Sequence, residues 1–151
     1  MLIDNHTFAL LKRTIQKDGW LELPAHGNSM FPFIQQGNLC RFIPCQSSQI
    51  KKGDVILFYS QTGQLIAHRF VSVKKIDNQL FFLFKGDTNL GYDQLIREEY
   101  ILGKLASVQK KQLTINPQHL LARCWGKMIL TFPLLSGMLR KHLNRKFKLQ
   151  F

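Results

Sequence analysis

The order of apolar and polar positions divides the chain into three stretches. Over 5–17, Phe8, Leu11 and Ile15 recur at the spacing of one helix face, with Asp4 or Asn5 available as N-cap and Gly19 to stop the helix. The pattern then changes to that of strands. A short "WLELP" (20–24) comes first, followed by "LCRFIP" (39–44), "DVILFYS" (54–60), "LIAHRFVSVKKI" (65–76), "QLFFLFKG" (79–86), "ILGKLASVQ" (101–109) and "QLTI" (112–115). Turn formers separate them: Lys52-Gly53-Asp54, Thr62-Gly63-Gln64, Asp77-Asn78 and Gly86-Asp87. Many short strands joined this way predict a mainly β (α+β) fold built on a curled, mostly antiparallel sheet.

From Pro117 helical spacing returns. Leu121, Cys124, Trp125, Met128 and Phe132 form one expected apolar stripe, and Pro133 should break the helix, because a proline forced into its interior costs about 3 kcal/mol. Leu135, Met138, Leu139, Leu143 and Phe147 form a second stripe, with Arg140, Lys141, Arg145 and Lys146 on the remaining faces. The expected organisation is a body over 1–116 and a basic amphipathic helical tail over 117–151, without internal repeats.

Charge sharpens this division. The formal net charge is +12, all nine acids lie at or before Glu99, and ten Lys and Arg follow from Lys104 onward. Such a field favours nucleic acid, anionic lipid or an acidic partner. The tail's cations sit in amphipathic helices and do not alternate with stacking aromatics on a strand, so nucleic acid is not expected. A basic helix with Trp, Phe and Leu on its apolar side suits an anionic membrane surface, bound through Arg140, Lys141, Arg145 and Lys146. The alternatives are a helix packed on the sheet with a solvated basic face, and docking to a partner protein.

A chain of 151 residues, 45% hydrophobic and with 12 Phe, can bury a core in one domain with an appendage. Cys40, Cys45 and Cys124 match no disulfide or zinc spacing and are expected as free, buried thiols in a reducing compartment. No metal or cofactor is expected. The first residues do not read as a secretory signal and no run reaches 18 apolar residues, so the expected location is the cytoplasm, peripheral on the inner face of the membrane.

The candidate chemistry begins in "HGNSMFPFIQQGN" (26–38), where Ser29 stands in a turn punctuated by Gly27 and Pro32. Either this is a surface loop or it holds a nucleophile on a bent backbone. A serine hydroxyl needs a neighbouring base. His68, inside "LIAHRFVSV", can serve, or can be a hydrogen-bonded core histidine. In "FLFKGDTNLGYDQL", Asp87 or Asp93 could orient the imidazole; taken alone, each reads as a turn former.

Five segments in order, "GNSMFP", "KKGDVILF", "IAHRFVSV", "FKGDTNLGYD" and "ILGKLASV", resemble the sequence boxes of the type I signal peptidase superfamily, from about Pro24 to Val108. The resemblance implies that Ser29 is the nucleophile. It puts His68 where most bacterial members and the self-cleaving repressors carry a lysine base; His followed by Arg is the form of the endoplasmic-reticulum-type branch. It assigns the third role to Asp93, with Asp87, in the structural "GD" element, as second choice. His26, Gly27 and Asn28 would frame the oxyanion beside the Ser29 N–H, and Met30 and Pro32 would meet substrate. Gly27 stands where a small hydroxyl residue is common, and the polar-faced helix 5–17 stands where familiar members carry a membrane-spanning helix. The implied activity is that of a serine endopeptidase cutting a precursor or leader peptide, bound as an extended strand, at small residues. The alternative is a non-catalytic peptide-, membrane- or nucleic-acid-binding relative.

Overall fold

The computed structural model describes residues 1–148 and bears out the mainly β architecture. Helix α1 spans Asn5–Asp18; Asp4 caps it by accepting the Thr7 N–H at 2.7 Å, which holds the Asp4 carboxyl below its ordinary pKa. Gly19, left-handed at φ 78°, ends it with an N–H bond to the Ile15 carbonyl. The strands follow: β1 (Leu21–Pro24), β2 (Leu39–Ile43), β3 (Val55–Tyr59), β4 (Leu65–Ile76), β5 (Gln79–Lys85), β6 (Ile96–Arg97), β7 (Ile101–Lys110) and β8 (Leu113–Ile115). They form one curled antiparallel sheet in the order β1-β2-β7-β3-β4-β5-β6, with β8 paired to β7. Two helices close the described chain, α2 (Leu120–Thr131) and α3 (Pro133–Lys148).

The sheet is covered on both faces at its centre. Val55, Leu57 and Tyr59 of β3 enter one core cluster with Ile15, Phe42, Leu105 and Val108. Ile56 and Phe58 point the other way, to Phe70, Phe82 and Phe84. This is why "VILFY" is continuously apolar instead of alternating. Helix α1 lies close on β7 because position 103 has no side chain: a Cβ on Gly103 would come within 2.6 Å of the Ile43 carbonyl oxygen and 2.7 Å of Ile15 Cδ1. The β4–β5 hairpin turns at Asp77-Asn78, both left-handed (φ 47° and 63°), as a two-residue hairpin loop requires.

Two expectations need correction. Trp20 lies outside β1, half exposed, with the Arg41 guanidinium 4.8 Å over its ring. The thiols are free, but Cys40 alone is buried; Cys45 is half-buried and Cys124 exposed. The tail stripes, which the sequence leaves open between packing and exposure, divide: Leu135 and Leu139 are half-buried and Leu143 is buried, while Met138 and Phe147 are exposed. The helix does break at Pro133, but α2 buries Ala122, Gly126 and Ile129, while Leu121, Cys124, Met128 and Phe132 face outward. α3 buries Ser136 and Leu143. Close approach explains the glycine: a Cβ on Gly126 would stand 2.8 Å from Arg69 Nη1, so α2 meets the body there without a side chain, while Ile129 is buried one turn further on. The passage from 116 to 117 is thus a change of secondary structure across which packing is continuous.

Candidate active site

Three separate segments converge at one end of a cleft. Ser29 lies in the turn after β1, where Gly27 takes a left-handed φ of 77° that a side chain would strain. His68 lies in β4, paired with Ile56 of β3. Asp93 lies in the loop after β5, and its N–H bonds the Phe84 carbonyl at 2.9 Å, closing the loop so that residue 93 returns beside the strand.

His68 Nε2 is 2.9 Å from Ser29 Oγ, and His68 Nδ1 is 2.7 Å from Asp93 Oδ2. The imidazole is 5% exposed, with Phe58 edge-on at 6.3 Å between ring centroids. Asp93 keeps 18% of its side chain in solvent. This is a hydroxyl–imidazole–carboxylate relay. The carboxylate fixes the tautomer by accepting the Nδ1 proton, which leaves Nε2 free to take a proton from the hydroxyl. Gly86 makes room for the ring, since a Cβ there would fall 3.0 Å from His68 Nε2.

A backbone tie sets the register of serine and loop. The Thr88 N–H donates to the Ser29 carbonyl at 2.9 Å, and the Thr88 hydroxyl donates to the Asn28 and Ser29 carbonyls at 3.3 and 3.2 Å. The Asn28 side chain braces the turn by accepting the Gln36 N–H. Among the described residues the Ser29 N–H has no acceptor.

Asp87 is elsewhere. It is 1% exposed and forms a two-pronged ion pair with Arg69, Nε–Oδ1 2.7 Å and Nη2–Oδ2 3.0 Å. Arg69 Nη1 also donates to the Gly53 carbonyl, and the guanidinium lies 5.0 Å from the Phe33 ring centroid. The Trp125 indole N–H of α2 completes the cluster, donating to Asp87 Oδ2 at 2.9 Å. Beside it the Lys85 ammonium donates to Ser136 Oγ at 2.8 Å; burial pushes its pKa down, opposed by the Asp87 charge. Of the two acids in this loop, geometry therefore joins Asp93 to His68 and Asp87 to Arg69.

The cleft has a volume of about 310 Å³. Leu23, Ile34, Phe42, Leu57 and Ile66 give it apolar walls, and Ser29 and His68 lie at its polar end. His26, Gly27 and Met30 line it as well. Pro32 does not; its carbonyl accepts the half-buried Lys110 ammonium at 2.8 Å, away from the cleft. Cys40 also faces the cleft, where burial pushes its thiol up to about 11. Among the described residues no cluster of His, Cys, Asp or Glu could hold a metal ion. Arg140, Lys141, Arg145 and Lys146 are exposed on α3.

Sequence reasoning missed Thr88 and Trp125. Thr88 carries no spacing signal, and the helical spacing of Trp125 marks only an apolar stripe; each acts through a partner far away in the chain. Comparison with protein-family models and with curated proteins finds no match.

Proposed function

We propose that the protein is a serine endopeptidase that cuts a precursor or leader peptide, a chain similar to the Ser/His branch of the type I signal peptidase superfamily. The observation that carries this reading is the relay of 2.9 and 2.7 Å through a buried imidazole, opening on an apolar cleft.

Ser29 Oγ attacks the scissile carbonyl while His68 Nε2 takes its proton; Asp93 stabilises the imidazolium so formed. The Ser29 N–H meets the tetrahedral oxyanion. His68 then returns the proton to the departing amine, leaving an acyl ester on Ser29, and a water activated by the same imidazole releases it. A place for the peptide is present. The β4–β5 ladder starts only at Arg69↔Lys85, so the edge of Ile66–His68 that faces away from β3 carries no strand. An extended peptide laid there presents its carbonyls toward Ser29, with alternate side chains directed into the cleft.

The test is mass spectrometry of a pool of extended peptides with small residues at varied positions, incubated with the protein and with Ser29→Ala. The expected result is a discrete cut that the variant does not make, with a transient acyl adduct on Ser29 when cleavage is quenched early. No cleavage of any peptide by a folded protein, or equal cleavage by Ser29→Ala, overturns the reading.

A further inference from the structure

Helices α2 and α3 each bury one face and leave another bare. On α2 the bare positions Leu121, Cys124 and Met128 follow one another at intervals of three and four and lie in one row, and Phe132, which caps the helix, is bare too. Past the corner at Pro133, α3 leaves Leu134 and Met138 bare as well, and the next positions of that face are Lys141 and Arg145. Leu121, Leu134 and Met138 are 79%, 82% and 67% exposed. A shallow groove beside this face, between Leu90 and α3, is lined by Arg140, Lys141, Arg145 and Lys148.

We propose that this helical corner is a docking face for an anionic lipid bilayer. Chains of large exposed apolar side chains are uncommon on a solvated surface and mark a contact. The charges beside this one choose the occupant. No acid follows Glu99, so nothing in the tail opposes a layer of negative headgroups, and the apolar row lies where the acyl boundary beneath that layer would be. A second copy of the chain is disfavoured, since it would bring the same uncompensated positive charge to the contact. No helix among the described residues is long and apolar enough to cross a membrane, so α2 and α3 lie in the plane of the interface. The proposal stands independently of the peptidase reading.

Cys124 supplies the reporter, because it is an exposed thiol within the row, whereas Cys40 is buried with its thiol pushed up to about 11. The full chain carrying Cys45→Ser is labelled at Cys124 with a polarity-sensitive fluorophore and mixed with vesicles of phosphatidylcholine, with or without phosphatidylglycerol. Flotation of the unlabelled protein is the parallel measurement. The expected result is a blue shift and flotation with the anionic vesicles alone, weakened by added salt. Lys141→Gln with Arg145→Gln should lower partitioning about thirtyfold, at about 1 kcal/mol per cation. Leu134→Ser with Met138→Ser should lower it about tenfold or more and abolish the blue shift. These side chains touch little of the body, so melting temperatures should hold; Leu121→Ser serves as an independent apolar variant. Failure to float, equal binding to neutral vesicles, or anionic binding unchanged by both apolar variants overturns the proposal, the last by reducing it to charge adsorption. Tight binding of polyglutamate that is lost in the apolar variants while vesicle binding is not would point to an acidic protein partner and overturn it as well.

Discussion

His68 and Arg69 are neighbours in β4, leave the strand on opposite sides, and each takes one aspartate from the same loop. The two pairs are built from similar parts and do opposite things. Arg69 is a permanent cation, and Asp87 meets it with two hydrogen bonds in a site closed to water, capped by Trp125. Its charge never changes, so the cluster works as a fixed joint between sheet and tail. His68 can gain and lose a proton, and its carboxylate partner stays partly solvated at the mouth of a cleft. The lesson is that burial depth and the partner's titration range, not the aspartate itself, set the two pairs apart.

The comparison can be broken most decisively at the relay. Ser29→Ala and His68→Ala should each abolish cleavage, with losses approaching about 10⁶ in kcat, and the double variant should be no worse than either single one because the groups act as a unit. Additive losses in single-turnover assays would mean the two side chains act separately. Asp93→Asn comes next, with about a 10⁴-fold fall in kcat as the imidazole loses its fixed tautomer, while the melting temperature stays near that of the wild type. Asp87→Asn should show the reverse ranking. It leaves Arg69 buried without its counter-charge, and denaturant titration should show a loss of about 3–5 kcal/mol. If Asp87→Asn kept full stability and lost only activity, the division between the two acids would fail.

Smaller effects sharpen the structural side. Trp125→Phe removes one hydrogen bond to a charged acceptor and should cost about 1.5–3 kcal/mol of stability. An unchanged melting temperature would mean that the tail contributes nothing to the joint. The smallest effect concerns Lys85. Its folded pKa is lowered from 10.5 by burial, so between that lowered value and 10.5 the unfolded chain holds more protons and stability rises with pH. Relative to Lys85→Met, the wild type should therefore gain in melting temperature as pH climbs from neutral toward 10.5. A difference that does not vary with pH would show that the ammonium is not desolvated.

Much of this was legible along the chain, and the limits have physical causes. The ends of α1 were readable because Asp4 and Gly19 act on their own backbone neighbours. The strands were readable from apolar runs and turn formers, except β6, whose two residues are too few to show a period. Ser29, His68 and Asp93 could be nominated from segment order, and the geometry joins them. The choice between Asp87 and Asp93 was less secure, since both sit in turn-forming company and only the fold shows which cation each meets. The tail was legible only in part. Periodicity shows that the helices are amphipathic but not which side docks: Ala122, Gly126, Ile129, Ser136 and Leu143 are buried, and Leu121 and Met128 are left outside.

Gly86 holds its place in the site by having no side chain. An alanine there would add a methyl carbon 2.8 Å from Asn89 Nδ2 and 3.0 Å from His68 Nε2, the nitrogen that faces Ser29. The imidazole is tethered at its other nitrogen by Asp93, so the added methyl must displace the ring, the Asn89 amide or both. One methyl group at a position that bears no charge and donates nothing to substrate would thus act as a wedge. The fold therefore gives the imidazole its place by leaving a side chain out beside it.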